Sequence, residues 1–273
     1  MRVNICYNDG KRDGKDVAEK VSRSLSRRNI ENTITGIDEY KELHISSDWD
    51  YLLSVGGDGT FLKIARCAVR NNIPIAGINL GRLGFLNEIG IEDLEDCLDR
   101  LQKKDFSIIK RSVLNIETFC DEKKIDTNIA INDAVLSREI IARVMKLSLY
   151  INGQKVETYH GDGIIISTPS GSTAYSLSAG GPIVSPELDA IVITPLCPHS
   201  LHARTIICTP EDEIKVVFDP LRMKESILTV DGQTVKRLKQ NSYTVITRNK
   251  EPLKIMRFGE TNFYNVVKEK LLK

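Results

Sequence analysis

Hydrophobic positions in the first hundred residues alternate between strand-like and helix-like patterns. Residues 3–7 are mostly apolar and short enough for a strand, and Val17, Val21 and Leu25 then recur every four residues, on one face of a helix. Residues 51–55 form a nearly continuous apolar run, as expected for a strand covered on both faces. The alternation predicts strand–helix–strand units and therefore a parallel sheet.

The same alternation continues beyond residue 55. A glycine-rich stretch at 56–60 is followed by a helical pattern over 61–69, and Pro74 precedes another apolar run at 75–78. Such a unit implies parallel strands joined by a right-handed crossover. One further helix is predicted by four apolar residues at helical spacing: Ile91, Leu94, Leu98 and Leu101.

After about residue 107 the apolar period shortens to two. Apolar and polar residues alternate over 145–151, Asn152-Gly153 follows, and 154–160 can return as a partner strand. Asn-Gly between two such runs is a strong hairpin signal, because both central residues of a type I′ turn need positive φ. Further strands are predicted at 164–168, 191–194, 205–209, 213–218, 227–230 and 243–247.

This change of period predicts two domains. We expect an α/β domain with a parallel sheet at 1–107 and a β-rich domain at 108–248. The segment 249–273 carries apolar residues at helical spacing, and we expect it to pack back onto the first domain. These residues are Phe263, Val266, Val267 and Leu271.

Composition narrows the class of protein. The 273 residues include 38 Lys+Arg and 37 Asp+Glu, a net charge of +1, which argues against a protein built to coat nucleic acid or an anionic membrane. No apolar run approaches the roughly 20 residues of a spanning helix, and the N-terminus has no signal-peptide pattern. The six cysteines show no C-x-x-C pair and no zinc-finger spacing, so we expect reduced thiols, no metal-ligating residue set and a cytoplasmic location.

The first stretch with candidate chemistry is Gly56-Gly57-Asp58-Gly59-Thr60, between a predicted buried strand and a helix. Glycines let the backbone approach a ligand closely, and amides at a helix N-terminus can receive a phosphate. Asp58 would repel phosphate, so it suits a hydroxyl or a metal ion instead. The alternative is a tight turn with Asp58 as a helix cap. The stretch is neither a Walker A motif nor a dinucleotide fingerprint, which would need glycine at Leu62.

Two further segments are unusually rich in glycine or hydroxyl groups. Residues 79–86 (NLGRLGFL) follow the next predicted strand, where ligands sit in open parallel sheets, although a structural turn is the alternative. Residues 161–182 run from a buried strand into a Pro-Ser-Gly-Ser-Thr loop whose hydroxyls and amides can bind a purine or ribose, with Tyr175 available to stack. A capped Ser/Thr-rich turn is the less favoured interpretation.

Together these motifs resemble the bacterial NAD kinases. The resemblance rests on the stretches 56–60, 79–85, 132–133, 161–182 and 231–233, which are spread over most of the chain. The long segment is highly specific. GGDGT by itself is weaker, because diacylglycerol and sphingosine kinases share it and the phosphate loop of phosphofructokinases is similar.

The resemblance implies transfer of the γ-phosphoryl group of ATP, or of another donor, to the 2′-hydroxyl of the adenosine ribose of NAD, giving NADP. Asp58 would be catalytic, accepting the hydroxyl proton, and Mg²⁺ or another divalent cation would bridge the ATP phosphates. For Lys63, a reach to phosphate and a solvated helix position are equally open. The nucleotide-binding positions implied in the first part of the chain are Gly56, Gly57, Gly59, Thr60, Lys63 and Phe85.

The remaining implied positions concern NAD. Asn132 and Asp133 would contact its adenine and ribose side, and Asp162 would be a ribose-binding acid. Adenine and nicotinamide contacts fall to Ser170, Thr173, Ala174 and Tyr175, with Ser176, Leu177 and Ser178 completing the loop. Further residues lining the site are Arg143, His160, Cys197 and Gln233.

The resemblance also implies an architecture: an N-terminal α/β domain, a C-terminal β-rich domain and a cleft between them. It implies a homodimer or homotetramer in which a neighbouring subunit completes the NAD site, and small-molecule nucleotides rather than nucleic acid or membrane as partners. Two alternatives stay open from the residues. One is a lipid kinase that shares GGDGT, and the other is a dinucleotide sensor without turnover.

Overall fold

A computed structural model describes residues 1–10, 12–38, 43–81, 84–138, 144–218, 225–259 and 263–271. The chain forms two compact units, Met1–Lys110 with Leu253–Lys273, and Arg111–Pro252. Within the described ranges, no helix has the length and apolar character needed to cross a membrane. All six cysteines lie in these ranges, and none of them forms a disulfide bond.

The first unit combines helices with a single sheet. Its helices are α1 (Arg12–Arg27), α2 (Asp58–Asn71), α3 (Leu94–Lys103) and, at the far end of the chain, α5 (Phe263–Leu271). Its strands are β1 (Arg2–Asn8), β2 (Glu31–Ile37), β3 (Tyr51–Gly56), β4 (Ile75–Asn79), β5 (Ser107–Arg111) and, from the C-terminal segment, β18 (Leu253–Arg257).

These strands form a six-stranded sheet in the order β2-β1-β3-β4-β18-β5. The pairs β1–β2, β1–β3, β3–β4 and β4–β18 are parallel, which confirms the prediction of a parallel sheet. Val21 and Leu25 of α1 pack with Ile5 and Leu53 of the sheet in one buried cluster. The predicted helix at the end of the chain is present as α5, but β18 precedes it and lies between β4 and β5.

The second unit is built on two antiparallel sheets. Its strands are β6 (Leu114–Cys120), β7 (Lys123–Ala130), β8 (Asp133–Arg138), β9 (Met145–Ile151), β10 (Gln154–Gly161), β11 (Gly163–Ser167), β12 (Ile191–Leu196), β13 (Ile206–Cys208), β14 (Ile214–Phe218), β15 (Glu225–Val230), β16 (Thr234–Lys239) and β17 (Ser242–Arg248). A short helix, α4 (Tyr175–Ser178), follows β11.

One of these sheets has the order β10-β9-β14-β17-β6-β7 and the other β13-β12-β11-β8-β15-β16. A shared core joins Leu147 and Leu149 of the first sheet to Ile164, Ile166 and Leu228 of the second. The predicted hairpin at Asn152-Gly153 is confirmed, because the two residues have φ of 51° and 77° between β9 and β10. The α/β unit and the β-rich unit together bear out the predicted fold class.

Several strands were not predicted from the sequence. β2, β7 and β16 lie at sheet edges, and exposed positions interrupt their apolar pattern. The start of α2 also differs: the helix begins at Asp58, inside the GGDGT stretch, three residues before the predicted helical run. Asp58 therefore belongs to the first turn of a helix rather than to a free loop.

Candidate functional site

The GGDGT stretch connects β3 directly to α2. Gly56 ends the strand with φ of +157°, and a Cβ there would lie 2.7 Å from the Thr60 hydroxyl oxygen, so a side chain would force the connection apart. Gly57 occupies the N-cap position, and no side chain caps the helix. The structure thus contradicts the alternative of Asp58 as a helix cap, because Asp58 is the first residue of α2 and Gly57 is the cap.

The Asp58 carboxylate is held by the segment that follows β4. Its Oδ2 accepts a hydrogen bond from the Phe85 amide at 3.3 Å, and its Oδ1 accepts one from Nδ2 of Asn87 at 3.3 Å. A Cβ on Gly84 would overlap the carboxylate, so glycine at that position makes room for it. The loops after β3 and β4 therefore meet at Asp58.

Asn87 is a site residue that sequence reasoning missed. It is fully buried and donates to the Gly56 carbonyl at 3.4 Å as well as to Asp58, while its Oδ1 has no hydrogen-bond partner in the described structure. A side chain on Gly77 would overlap this oxygen. The available signal was an amide directly after the apolar Phe85-Leu86, which is an unusual place for a polar side chain unless it has a partner.

The other candidates in this unit have different surroundings. Gly59 is exposed and Thr60 is buried. Lys63 donates from Nζ to the carbonyl of Asp38 at 2.6 Å, and Phe85 lies 5.0 Å, centroid to Nζ, from Lys270. The Lys63 ammonium is thus engaged at the end of β2 in this structure.

The second unit contains a cavity of about 350 Å³. It brings together Asn132 and Asp133 after β7, the start of α4 and the turn between β15 and β16. These three segments lie far apart in sequence. Four of the predicted binding residues line it, namely Asn132, Asp133, Ala174 and Tyr175. Five further lining residues were not among the predicted positions: Val135, Ser137, Thr229, Asp231 and Gly232.

The 161–182 segment is hydrogen-bonded to the backbone of Ile131 and Asn132. After β11, Thr168 donates from its hydroxyl to the Ile131 carbonyl at 2.7 Å and from its amide to the Asn132 carbonyl at 2.9 Å. A 3₁₀ turn then covers Ser170–Thr173, and a Cβ on Gly171 would overlap the Asn132 carbonyl. The segment can therefore approach Asn132 this closely only with glycine at 171.

Several hydroxyls of this segment bond within the protein. Ser176 is fully buried and shares a 2.9 Å hydrogen bond with Thr194, and Thr173 donates to the Ser170 carbonyl at 3.1 Å. The ring of Tyr175 is different, since the residue is 45% exposed and lines the cavity. Leu177 is half-buried and Ser178 is exposed at the end of α4.

Asp133 is the most strongly perturbed acid of the cavity. It is 5% exposed, and burial, followed by the nearby charge of Asp231, raises its pKa from 3.8 to about 7. No described residue donates a hydrogen bond to its carboxylate. A buried acid with a raised pKa in a cavity is characteristic of a functional site.

The remaining predicted positions within the described residues do not line this cavity. Asp162 forms an ion pair with Arg138 at 2.9 Å, and His160 lies on β10. Cys197 is exposed with φ of +44°, and Gln233 is exposed in the turn before β16. Arg143 lies outside the described residues.

Sequence profiles of known families match both halves of the chain. The ATP-NAD kinase N-terminal domain matches residues 11–106, and the ATP-NAD kinase C-terminal domain matches residues 131–258. The NAD kinase of Acetivibrio thermocellus is 41% identical over 236 residues, which cover 85% of this chain and 82% of the relative. The NAD kinase of Moorella thermoacetica is 43% identical over 221 residues, 81% of this chain and 70% of the relative.

Solved structures agree with these matches. An NAD kinase from Archaeoglobus fulgidus in complex with ATP superimposes with a TM-score of 0.79 at 25% identity, covering 99% of this chain and 98% of that one. Yeast NADH kinase complexed with NADH shares the fold, with a TM-score of 0.86 at 21% identity over 100% of this chain and 87% of that one.

The glycine-rich start of α2 beside Asp58 suits phosphate binding, and the cavity of the second unit suits a nucleoside. These are features of a phosphotransferase that acts on nucleotides. Both domain profiles and relatives at 41–43% identity specify which one. The chain belongs to the NAD kinase family, whose members phosphorylate NAD with ATP. This membership favours the NAD kinase interpretation over the lipid-kinase and sensor alternatives.

Proposed function

We propose that the chain transfers the γ-phosphoryl group of ATP to the 2′-hydroxyl of the adenosine ribose of NAD. The observation that carries this proposal is the cavity at Asn132, Asp133 and Tyr175, which offers hydrogen-bonding side chains and an aromatic ring to a nucleoside. A carboxylate beside ribose hydroxyls is a suitable acceptor, which supports a ribose at Asp133.

Asp58 is the catalytic residue of this proposal. Phosphoryl transfer depends mainly on positioning and charge neutralisation, so Asp58 would orient the acceptor hydroxyl and take its proton. The hydrogen bonds from Phe85 and Asn87 support this role, because they hold the carboxylate in one orientation. Gly56, Gly57 and Gly59 would let phosphates approach the backbone at the start of α2.

The NAD-binding role extends along the 161–182 segment. Ala174 and Tyr175 would contact the bases from the cavity wall, with Ser170 and Thr173 beside them. Asp162 would bind a ribose after release from Arg138, and Asn132 would contact the adenine side. The remaining positions carried from the family resemblance are Thr60, Lys63, Phe85, Arg143, His160, Ser176, Leu177, Ser178, Cys197 and Gln233.

The donor set fits a divalent cation held chiefly by substrate. Mg²⁺ in phosphotransferases is commonly bound through one or two carboxylates together with phosphate oxygens. The described residues contain no group of three or more His, Cys, Asp or Glu able to hold a metal ion, so the ATP phosphates would supply most of its ligands. The ion would neutralise charge on those phosphates, and the Asp58 carboxylate would stay available for the acceptor hydroxyl.

The proposal also includes an oligomeric state and a cellular location. The resemblance to bacterial NAD kinases supports a homodimer or homotetramer, which the mass of the purified chain in solution would test. Six cysteines without a disulfide bond suit a reducing compartment and support a cytoplasmic location.

The experiment is an assay of the purified chain with ATP, Mg²⁺ and NAD, in which NADP is detected by an NADP-specific dehydrogenase. We expect the wild type to form NADP and Asp58→Asn to lose turnover by roughly 10²–10⁴-fold while still binding NAD, the scale of a lost acid–base group. Asp96→Asn, an acid in the first turn of α3, is the matched control. Wild-type turnover in Asp58→Asn would remove Asp58 from catalysis, and absence of NADP with wild type would refute the function.

A further inference from the structure

The turn between β15 and β16 directs an acid back onto the neighbouring strand. Asp231 and Gly232 have φ of +50° and +66°, the left-handed geometry that a tight hairpin turn requires. β15 is paired with β8, and Val230 lies opposite Ala134. The turn therefore brings Asp231 to the beginning of β8, where the Asn132-Asp133 pair is located.

The Asp231 carboxylate accepts hydrogen bonds from three successive backbone amides. Its Oδ1 binds the amides of Asn132 at 2.8 Å and Asp133 at 3.2 Å, and its Oδ2 binds that of Ile131 at 3.2 Å. The Asp231 amide in turn donates to the Asp133 carbonyl at 2.9 Å. Consecutive amides converging on one anion form a compact binding concavity, and here a carboxylate of the same chain fills it.

The backbone carbonyls of this segment are also held by hydrogen bonds. The Ile131 and Asn132 carbonyls accept the two hydrogen bonds from Thr168, and Gly171 packs against Asn132. Ile131 and Asn132 are thus held at their amides by Asp231 and at their carbonyls by Thr168. The directions of the Asn132 and Asp133 side chains into the cavity follow from this arrangement.

We propose that Asp231 is a positioning residue, which acts on NAD recognition by fixing the backbone of the Asn132-Asp133 pair. Asp231 is 7% exposed, so its charge is sheltered and its amide hydrogen bonds are of the stronger, charge-assisted kind. The inference rests on the proposed function, because it assumes that this pair binds NAD.

The position of Asp231 has a second consequence, for the charge of Asp133. Asp231 from the turn and Tyr175 from α4 are the titratable groups that line the cavity with Asp133 in the described structure. β11 places Ser167 opposite Asp133, and β15 contributes Thr229, both uncharged. The negative charge of Asp231 helps raise the Asp133 pKa, so removing it would lower that pKa.

The test compares Asp231→Asn with wild type in the NADP assay across pH. An amide in place of the carboxylate has one acceptor oxygen, so at least one of the three amides loses its partner. We expect KM for NAD to rise roughly tenfold, the scale of one lost charge-assisted hydrogen bond, with a smaller change in kcat. Asp126→Asn, an acid of β7 that bonds Asn128 and Lys236, is the control and should behave as wild type.

The pH profile distinguishes positioning of this pair from a general structural defect. In wild type, kcat/KM for NAD should rise with pH through about 7 as Asp133 ionises. In Asp231→Asn the midpoint should move to lower pH, because the like charge that helps raise the Asp133 pKa is gone while the burial remains. In Asp133→Asn the rise of kcat/KM with pH near 7 should be absent. Adding Asp231→Asn to that variant should then leave the pH profile unchanged.

An unchanged KM for NAD, or a loss that is equal at every pH, would overturn the inference while leaving the kinase function intact. Absence of NADP with wild type would instead refute the function itself. If circular dichroism shows that Asp231→Asn is unfolded, Asp231→Glu carries the test. It keeps the charge but displaces the carboxylate, so KM for NAD should rise at an unmoved pH midpoint, and a wild-type KM would overturn the proposal.

Discussion

At the scale of single residues, the two candidate sites depend on carboxylates whose surroundings differ. Asp58 sits in the first turn of a helix and accepts two hydrogen bonds, whereas Asp133 is buried beside another acid. A buried carboxylate next to a like charge disfavours its own ionised form and therefore destabilises the fold at high pH. A residue that lowers stability in this way is expected at a functional site, where activity is gained at the expense of stability.

Because the ionised form of Asp133 is unfavourable in the folded protein, Asp133→Asn should stabilise the protein in a pH-dependent way. The folded-state pKa of about 7 lies above the unfolded value near 3.8, so folding takes up a proton between these values. Its contribution to stability is complete below about pH 4 and is lost as pH rises through 7. At pH 8 the variant should gain about 2–4 kcal/mol over wild type, and the gain should shrink towards pH 4.

Thermal unfolding followed by circular dichroism between pH 4 and pH 8 measures this difference. Asp126→Asn, at a half-buried acid that bonds Asn128 and Lys236, is the control. A difference between Asp133→Asn and wild type that is independent of pH would contradict the assigned titration.

At the scale of elements, the candidate sites lie where strands end and turns approach one another closely. The loops after β3 and β4 meet at Asp58, and the 3₁₀ turn after β11 packs on the segment before β8. Both approaches depend on glycine, at Gly84 in one case and at Gly171 in the other. Glycine is needed at these positions for space rather than for a positive φ.

Gly171→Ala should therefore weaken NAD binding. The added methyl group would overlap the Asn132 carbonyl, so either the 3₁₀ turn or the Asn132-Asp133 pair must move. We expect KM for NAD to rise roughly tenfold or more, since overpacking of this kind typically costs about 1–3 kcal/mol.

Steady-state kinetics with varied NAD measures the effect of Gly171→Ala. Gly259→Ala is the matched control, because a Cβ there has no atom within 4 Å. A wild-type KM for NAD in Gly171→Ala would show that the close contact with Asn132 does not matter for binding.

At the scale of the whole molecule, the C-terminal segment completes the first unit. The chain leaves that unit at residue 110, forms the second unit and returns at Leu253. β18 then lies between β4 and β5, with Leu253 and Ile255 buried. The first sheet is therefore incomplete until the last part of the chain has been made.

Truncation after Pro252 should destabilise the first unit selectively. Removing β18 separates β5 from β4 and exposes apolar surface of the sheet, whereas truncation after Phe258 removes α5 but keeps β18. Limited proteolysis with mass spectrometry should find early cuts within 1–110 in the shorter chain and protection of 111–252. Equal protection of both regions after truncation at Pro252 would contradict this dependence.

Much of the local structure was determined by the sequence itself. The four-residue spacing in α1, the apolar run of β3 and the Asn152-Gly153 turn follow from backbone geometry and side-chain burial within a few residues. The glycine-rich stretches also marked the two loops that meet at Asp58. Edge strands such as β2 and β7 escaped prediction because half-exposed strands lack a regular apolar pattern.

The tertiary structure decided which distant residues act together. Asp231 is 99 residues from Asn132 and Asn87 is 29 from Asp58, so no local period connects them. The order of strands in each sheet brings these partners into hydrogen-bonding distance, and burial then sets the charge state of Asp133. Local patterns reflect the preferences of short segments, whereas these contacts and the Asp133 pKa depend on sheet topology and on exclusion of water, which arise only in the folded chain.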